Sequence, residues 1–312
     1  MALAPDQVAA FQHGYAAPQR PLSRRRFLKS SLGVLGVAGV GATGTAAYGA
    51  YEARFDLRVT DYRPVPRQWP AGQKLSIAVI ADLHAGGPNA GREQVREVVD
   101  TANGLGCDLI VLLGDYFATH SFVTERMAHS EWASELGRLK APLGVFAILG
   151  NHDWWHDVSG TRKALADVRI PLLENHAVLL GQGRQKFWLA GLGDQIAYRL
   201  GRNKFRGVDD LPGTMAKIHG NEPVIMLAHE PDIFPEMPDR VALTLAGHTH
   251  GGQVRVPFLW QRWTPSRYGD RFAYGHVVER DRHMIVSGGI GTSIVPLRIG
   301  VPPEILRVVL GA

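Results

Sequence analysis

The sequence predicts an α/β layered sandwich with mixed sheets, and three observations point there. Short apolar runs alternate with helix-period segments through the first half of the body, and the last third is strand-rich. The 312 residues are 45% hydrophobic and 20% charged, enough apolar material for one large domain and too little charge for disorder. The 36 glycines and 19 prolines follow no fixed period, which excludes collagen-like and solenoid readings.

The formal charge of +5 raises the question of a nucleic-acid partner. Its location answers it: residues 1–29 carry +4 and the rest of the chain only +1. A nearly neutral body argues against a broad phosphate-backbone surface, so no stable nucleic-acid partner is expected. The single cysteine, Cys107, excludes an internal disulfide and a thiolate metal cluster. Any bound metal must be held by His, Asp, Glu or Asn.

The N-terminal charge has its own pattern. Ser23-Arg24-Arg25-Arg26-Phe27-Leu28-Lys29 precedes an uncharged, Gly- and Ala-rich run from Ser30 to Tyr51. A basic patch followed by an apolar stretch reads as a twin-arginine export signal, with a basic tail before a buried helix as the bland alternative. The absence of a clean Ala-x-Ala site before Glu52 tilts the reading to a retained anchor. Residues 1–52 are therefore assigned to the signal or anchor, 53–73 to a strand and Pro-rich connector, and 74–312 to the main folded domain. The expected location is the extracytoplasmic face of the cytoplasmic membrane, with the export machinery and the membrane as partners.

Along the body, Phe55, Leu57 and Val59 alternate with polar residues as a half-buried strand, and Pro64, Pro66 and Pro70 enforce an extended connector. Apolar strands are expected over Leu75–Ile80, Leu109–Leu113 and Leu143–Leu149, with helices over Arg92–Leu105 and Thr124–Lys140 between them. A helix near Thr161–Val168, strands near Ala177–Leu180 and Phe187–Leu192, and a helix near Val208–His219 follow. Strands then recur over Val224–Ala228, Val241–Ala246, Gly275–Glu279, His283–Val286 and Ile305–Leu310.

Five of these strands end in a cluster of Asp, His or Asn. Asp82 and His84 follow the first, Asp115 the second, Asn151-His152-Asp153 the third, and His229 and His248-Thr249-His250 the two later ones. Strand carboxyl ends form the ligand crevice of open α/β sheets, so these side chains can converge. Nitrogen and oxygen donors without thiolate suit Mn, Fe or Zn better than Mg or Ca. Each block alone is weak evidence and structural histidine is its default; the ordered set is strong.

The blocks Asp82-Leu83-His84, Gly114-Asp115, Gly150-Asn151-His152-Asp153 and Gly247-His248-Thr249-His250 resemble the signature of the calcineurin-like metallophosphoesterases, from about Leu75 to Leu310. The Arg-Arg signal, Trp154-Trp155 and Pro302-Pro303-Glu304 are similar to its bacterial twin-arginine-exported branch. The resemblance implies two mixed sheets flanked by helices and two divalent metals. Asp115 would be shared between them, Asp82, His84 and His250 would complete one site, and Asn151, His229 and His248 the other. A hydroxide bridging the metals would attack phosphorus. His152 would contact the phosphoryl group and assist the leaving oxygen, with Asp153 orienting it.

The implied reaction is hydrolysis of a phosphodiester, phosphomonoester or pyrophosphate on an envelope-associated substrate, lipid-linked forms included. A UDP-diacylglucosamine-type pyrophosphatase and a non-catalytic envelope-binding module are the rivals; a metallo-β-lactamase would need a His-x-His-x-Asp-His block, which is absent. Three further features stay open. Trp154 and Trp155 either line a groove or pack on the sheet edge. Ser287–Ser293 is read as a glycine-rich turn near the site. The aromatic and arginine-rich stretch around Trp260 and Trp263 is expected to meet lipid or pack as a buried loop.

Overall fold

The computed structural model of the chain describes residues 43–255 and 264–311. Residues 1–42 of the segment read as an export signal, and the Phe258–Trp263 aromatic stretch, therefore lie outside the described residues. The chain divides into two compact units, Met1–Thr45 and Ala46–Ala312. Among the described residues no helix is long and apolar enough to cross a membrane.

In chain order the elements are α1 (43–55), then β1 (Arg58–Tyr62), β2 (Leu75–Ile80), α2 (Arg92–Gly104), β3 (Leu109–Leu112), α3 (His129–Leu136) and β4 (Val145–Ala147). Next come α4 (Asn151–His156), α5 (Val158–Asp167), β5 (His176–Leu180), β6 (Phe187–Gly191), β7 (Tyr198–Gly201), β8 (Lys204–Arg206) and α6 (Leu211–Ala216). The last strands are β9 (Val224–Leu227), β10 (Val241–Ala246), β11 (Gly275–Glu279), β12 (Arg282–Val286) and β13 (Glu304–Leu310).

Two large mixed sheets carry the fold, as the strand pattern predicts. The first has the order β1-β13-β2-β3-β4 and the second β11-β12-β10-β9-β6-β5; β7 and β8 form a separate hairpin. In the first, β2, β3 and β4 run parallel, and β13 lies antiparallel to β2. In the second, β6, β9, β10 and β12 run parallel between the antiparallel edges β5 and β11.

The period-2 alternation of the strands splits their side chains between two cores. Ile77, Val79, Leu109 and Val111 of the first sheet meet Ile225, Leu227, Leu243 and Leu245 of the second, in a layer from which water is excluded. Their neighbours Ala78, Ile80, Ile110 and Leu112 face outward onto Val95, Val98 and Val99 of α2 and Trp132 of α3. On the far side Met226 and Ala246 pack on Leu211, Ile233 and Phe234. Strands buried on both faces read as continuous apolar runs, which is why the sequence places them well.

Several boundaries differ from the sequence-based expectation. Phe55 ends α1 instead of opening a strand, and β1 begins at Arg58, paired with Glu304 of β13. The helix expected over Thr124–Lys140 shrinks to α3. The backbone of 124–125 is taken by the turn at Gly87, where the Gly87 N–H donates to the Glu125 carbonyl (2.8 Å) and the Thr124 N–H to Gly87 (3.1 Å). The β7–β8 hairpin went unread because its strands are four and three residues long and exposed throughout, so Tyr198, Leu200 and Phe205 give too short an alternation to mark it.

The compact body begins before the catalytic domain boundary drawn from sequence. Glu52 and Ala53 of α1 are buried, and the Arg298 N–H donates to the Gly49 carbonyl at 3.0 Å. A chain starting at Ala46 is expected to melt like the full chain. One starting at Asp56 is expected to melt lower, by roughly 2–4 °C for each kcal/mol of lost contact. Thermal unfolding of both chains checks this, and equal melting temperatures would remove α1 from the body.

Candidate metal centre and active site

The carboxyl ends of β2, β3, β4, β9 and β10 open on one side of the two sheets, and the nine residues singled out from sequence follow them. Backbone pairing continues past the strands and stitches these turns together. The Asp82 N–H donates to the Gly114 carbonyl (3.2 Å), His84 to Asp115 (2.9 Å) and Gly247 to His229 (3.0 Å). A sixth strand end joins them: the glycine-rich turn after β12 donates from Ile290 to Ala81 and from Gly291 to Asp82. That turn is a wall of the site.

Five of these residues sit in the left-handed backbone region: Asp82 (φ 50°), His84 (41°), Asp115 (56°), His248 (68°) and His250 (51°). Non-glycine residues there cost on the order of 1–3 kcal/mol each and persist only where surroundings hold them. The effect is to turn the chain sharply after β2, β3 and β10. Close approach also demands glycine at two places. A Cβ on Gly150 would collide with the Asp115 carboxylate and the His229 ring, and one on Gly289 (φ +72°) would stand 2.7 Å from the Asp82 Cβ.

The donor atoms converge in overlapping groups. Asp82, His84 and His250 form one, Asp82, Asp115 and His229 another, and His84, Asp115 and His152 a third; in each the donors lie within 4.8 Å of one another. His84 Nε2 lies 3.1 Å from His250 Nε2 and 3.5 Å from Asp115 Oδ2. His248 Nδ1 lies 2.8 Å and His229 Nε2 3.2 Å from Asn151 Oδ1. Donors around an ion bonded at ~2.0–2.1 Å stand about 3.0–3.4 Å apart, so the spacing fits metal ligation.

Protonation makes the same point. His229 Nδ1 lies 2.7 Å from the Leu113 carbonyl, so it carries the hydrogen and leaves the Nε2 lone pair facing Asp115 Oδ2 at 3.3 Å. Two acceptors facing each other in a buried site call for a cation between them. A proton meets the same need: despite burial, the Asp115 carboxylate lifts the His229 pKa well above its usual value. Asn151 Nδ2 and His84 Nδ1 are buried without partners.

Burial drives His84 down to about 3, and lowers His248 and His250. These three imidazoles are therefore neutral at pH 7, the state a metal ligand requires. Burial raises Asp82 to about 7. For Asp115 burial acts upward, but His229 and the other imidazoles outweigh it and hold the carboxyl well below its usual value. One ionised and one easily protonated carboxylate thus share the site.

Asp153 takes a different position from the one expected. Its buried carboxylate accepts the N–H groups of Asp115 (2.8 Å), Tyr116 (3.0 Å) and Gly150 (2.9 Å), clamping two strand ends together. Thr119, not Asp153, hydrogen-bonds the His152 ring, at Nδ1. Sequence reasoning missed Thr119 because no motif marks it. It also missed Arg298, fully buried, whose guanidinium donates to the Gly291 and Val301 carbonyls and lies 3.2 Å from His250 Nδ1. Glu230 was missed too, although it adjoins His229 and groups with it and His248. Trp155 settles toward the site, its ring 5.2 Å from His152, whereas Trp154 packs on the helical core.

The family model for calcineurin-like phosphoesterases matches residues 75–252. The chain belongs to that family, a class of dinuclear metal-dependent phosphoric ester hydrolases. Among its relatives is the uncharacterized metallophosphoesterase YkuE of Bacillus subtilis, 30% identical over 92% of this chain and 96% of that one. Phosphodiesterase YaeI of Escherichia coli is 31% identical over 74% of this chain and 80% of its own. A Danio rerio transmembrane protein with metallophosphoesterase domain is 31% identical over 76% of this chain, which spans about half of that protein's length (53%).

Two outcomes test the geometry. Asp153→Ala leaves three buried N–H groups without an acceptor and is expected to weaken Mn²⁺ affinity about 10–100-fold in calorimetric titration. An unchanged affinity would make the clamp irrelevant to the site. Metal binding must also displace the proton from Asp82. His229, raised well above its usual value, must lose its proton as well, so apparent affinity is expected to rise with pH through 7, with Asp82 alone contributing about a tenfold fall per unit below pH ~7. A pH-independent affinity from 5 to 8 would contradict it.

Proposed function

We propose that this chain is a dinuclear metal-dependent phosphodiesterase that works outside the cytoplasm on an envelope-associated substrate. The convergence of buried, unprotonated imidazoles with two carboxylates at five strand ends carries the chemical part of the reading. The Arg24-Arg25-Arg26-Phe27-Leu28-Lys29 block and the apolar run after it support export by the twin-arginine route and a retained anchor. The phosphodiesterase name of the Escherichia coli relative supports a diester substrate.

Asp82, His84 and His250 would hold one metal, Asn151, His229 and His248 the other, with Asp115 shared. When bound, the pair supplies a neutral-pH nucleophile from water and positive charge for the phosphoryl oxygens. The chain's own contribution is placement and proton supply. The Thr119 hydroxyl meets His152 Nδ1; with the hydroxyl donating there, the ring carries its hydrogen at Nε2, free to be given to the leaving oxygen. The His152 N–H donates to Asp115 Oδ1 at 2.8 Å, which ties the proton donor to the shared carboxylate. Burial lowers the His152 pKa, which keeps the ring neutral and its proton specific to that nitrogen.

Hydrolysis of bis(4-nitrophenyl) phosphate and of 4-nitrophenyl phosphate, with metal content measured on the same protein, tests the proposal. About two metals per chain and preference for the diester are expected. His152→Ala should cost about 10²–10⁴-fold in kcat at unchanged metal content, and Asp115→Asn should lose metal and activity together. A chain that binds no metal, or stays active as Asp115→Asn, would point to a binding module on the same fold.

A further inference from the structure

The β7–β8 hairpin stands beside the His152 side of the site and has no part in the chemistry described so far. Its segment from Tyr198 to Arg206 holds Arg199, Arg202, Lys204 and Arg206 with no acidic residue, and every strand position is exposed. Several other surface arginines are paired with carboxylates: Arg92 with Glu131, Arg138 with Asp100, Arg271 with Glu279 and Arg307 with Asp61. The four hairpin cations have no ion pair among the described residues.

Arg199 is the one aimed at the site. Its guanidinium carbon lies 3.5 Å from the Trp155 ring centre. That ring is held by an Nε1–H bond to the Ile196 carbonyl (3.0 Å) and stacked on Phe205 at 5.9 Å. Trp155 also neighbours His152, with the ring centres 5.2 Å apart. A planar cation laid on an aromatic ring is fixed in orientation while its N–H groups stay free for an oxyanion.

We infer that Arg199, seated on Trp155, binds a second anionic group of the substrate next to the scissile phosphorus, so that the enzyme prefers esters with a second phosphate, of the pyrophosphate type. The inference rests on the hydrolase reading and extends it to substrate class. A charge-assisted bond of this kind contributes about 1.5–3 kcal/mol, or roughly tenfold to a hundredfold in apparent affinity. Arg199 touches the substrate away from the reacting atoms, so its removal acts mainly on KM.

The test uses the metal-loaded full chain and two substrates, bis(4-nitrophenyl) phosphate, which has no second anion, and a nucleoside 5′-diphosphate ester, which has one. Arg199→Gln is expected to raise KM for the diphosphate ester about tenfold or more with kcat little changed. It should leave bis(4-nitrophenyl) phosphate within about twofold, and Arg199→Lys should recover part of the loss. Equal losses on both substrates would reduce Arg199 to a prop for Trp155. No loss on either, or a wild type that cleaves only the simple diester, would overturn the inference while leaving the hydrolase reading intact. Inhibition by phosphatidylglycerol vesicles that Arg199→Gln abolishes, without any change in KM for the soluble ester, would assign the cation to a lipid surface and also overturn it. A wild type inert to both substrates would sink the hydrolase reading itself.

Discussion

The structure depends on how one carboxylate is held. Asp115 leaves β3 through a left-handed turn, and its backbone N–H is fixed by the Asp153 carboxylate. Its Oδ1 accepts from the His152 N–H, and its Oδ2 stands within 3.5 Å of both His84 and His229. The first of these imidazoles follows β2 of one sheet and the second follows β9 of the other. Asp115 is therefore a point where the two sheets exchange electrostatic contact, beside Asp82, whose carboxylate accepts the His248 N–H at 3.0 Å. Any shift of one sheet against the other would open it.

That requirement explains the heavy core behind the site. Strained turns and buried, partly unpartnered polar atoms are local costs, and only a rigid frame keeps them in place. The frame is the inter-sheet layer of Val79, Val111, Leu227 and Leu245, all fully buried. Close packing makes this layer resist sliding, and so it transmits a fixed register to the strand ends. Arg298 extends the same logic outward. It joins the glycine-rich turn after β12, the back of His250 and, through its backbone, α1.

The strands and the donor set were legible in sequence because both are dictated locally. A strand buried on two faces must be apolar throughout, and a metal site at strand ends must carry its donors immediately after the apolar run. Asp82, Asp115, Asn151 and His248 satisfy both conditions in order, so the residues could be named before the fold was known. What escaped was set by distant parts of the chain. The role of Asp153 depends on where the β3 turn comes to rest, and a carboxylate beside a histidine in sequence gives no hint that it faces backbone N–H groups. Thr119 and Arg298 meet their histidines from 33 and 48 residues away. Helix α1 was hidden in a stretch whose composition matches an export signal, and the β7–β8 hairpin leaves only a short apolar trace because its strands stay exposed.

The account stands on Asp115 joining two metal ions, and electron paramagnetic resonance of the Mn²⁺-loaded full chain reads that directly. Two ions sharing one carboxylate exchange-couple, so the predicted result is a multiline spectrum of a coupled pair that collapses to the signal of isolated ions in Asp115→Ala. A six-line spectrum of independent Mn²⁺ in the wild type would contradict the shared carboxylate and the dinuclear mechanism built on it.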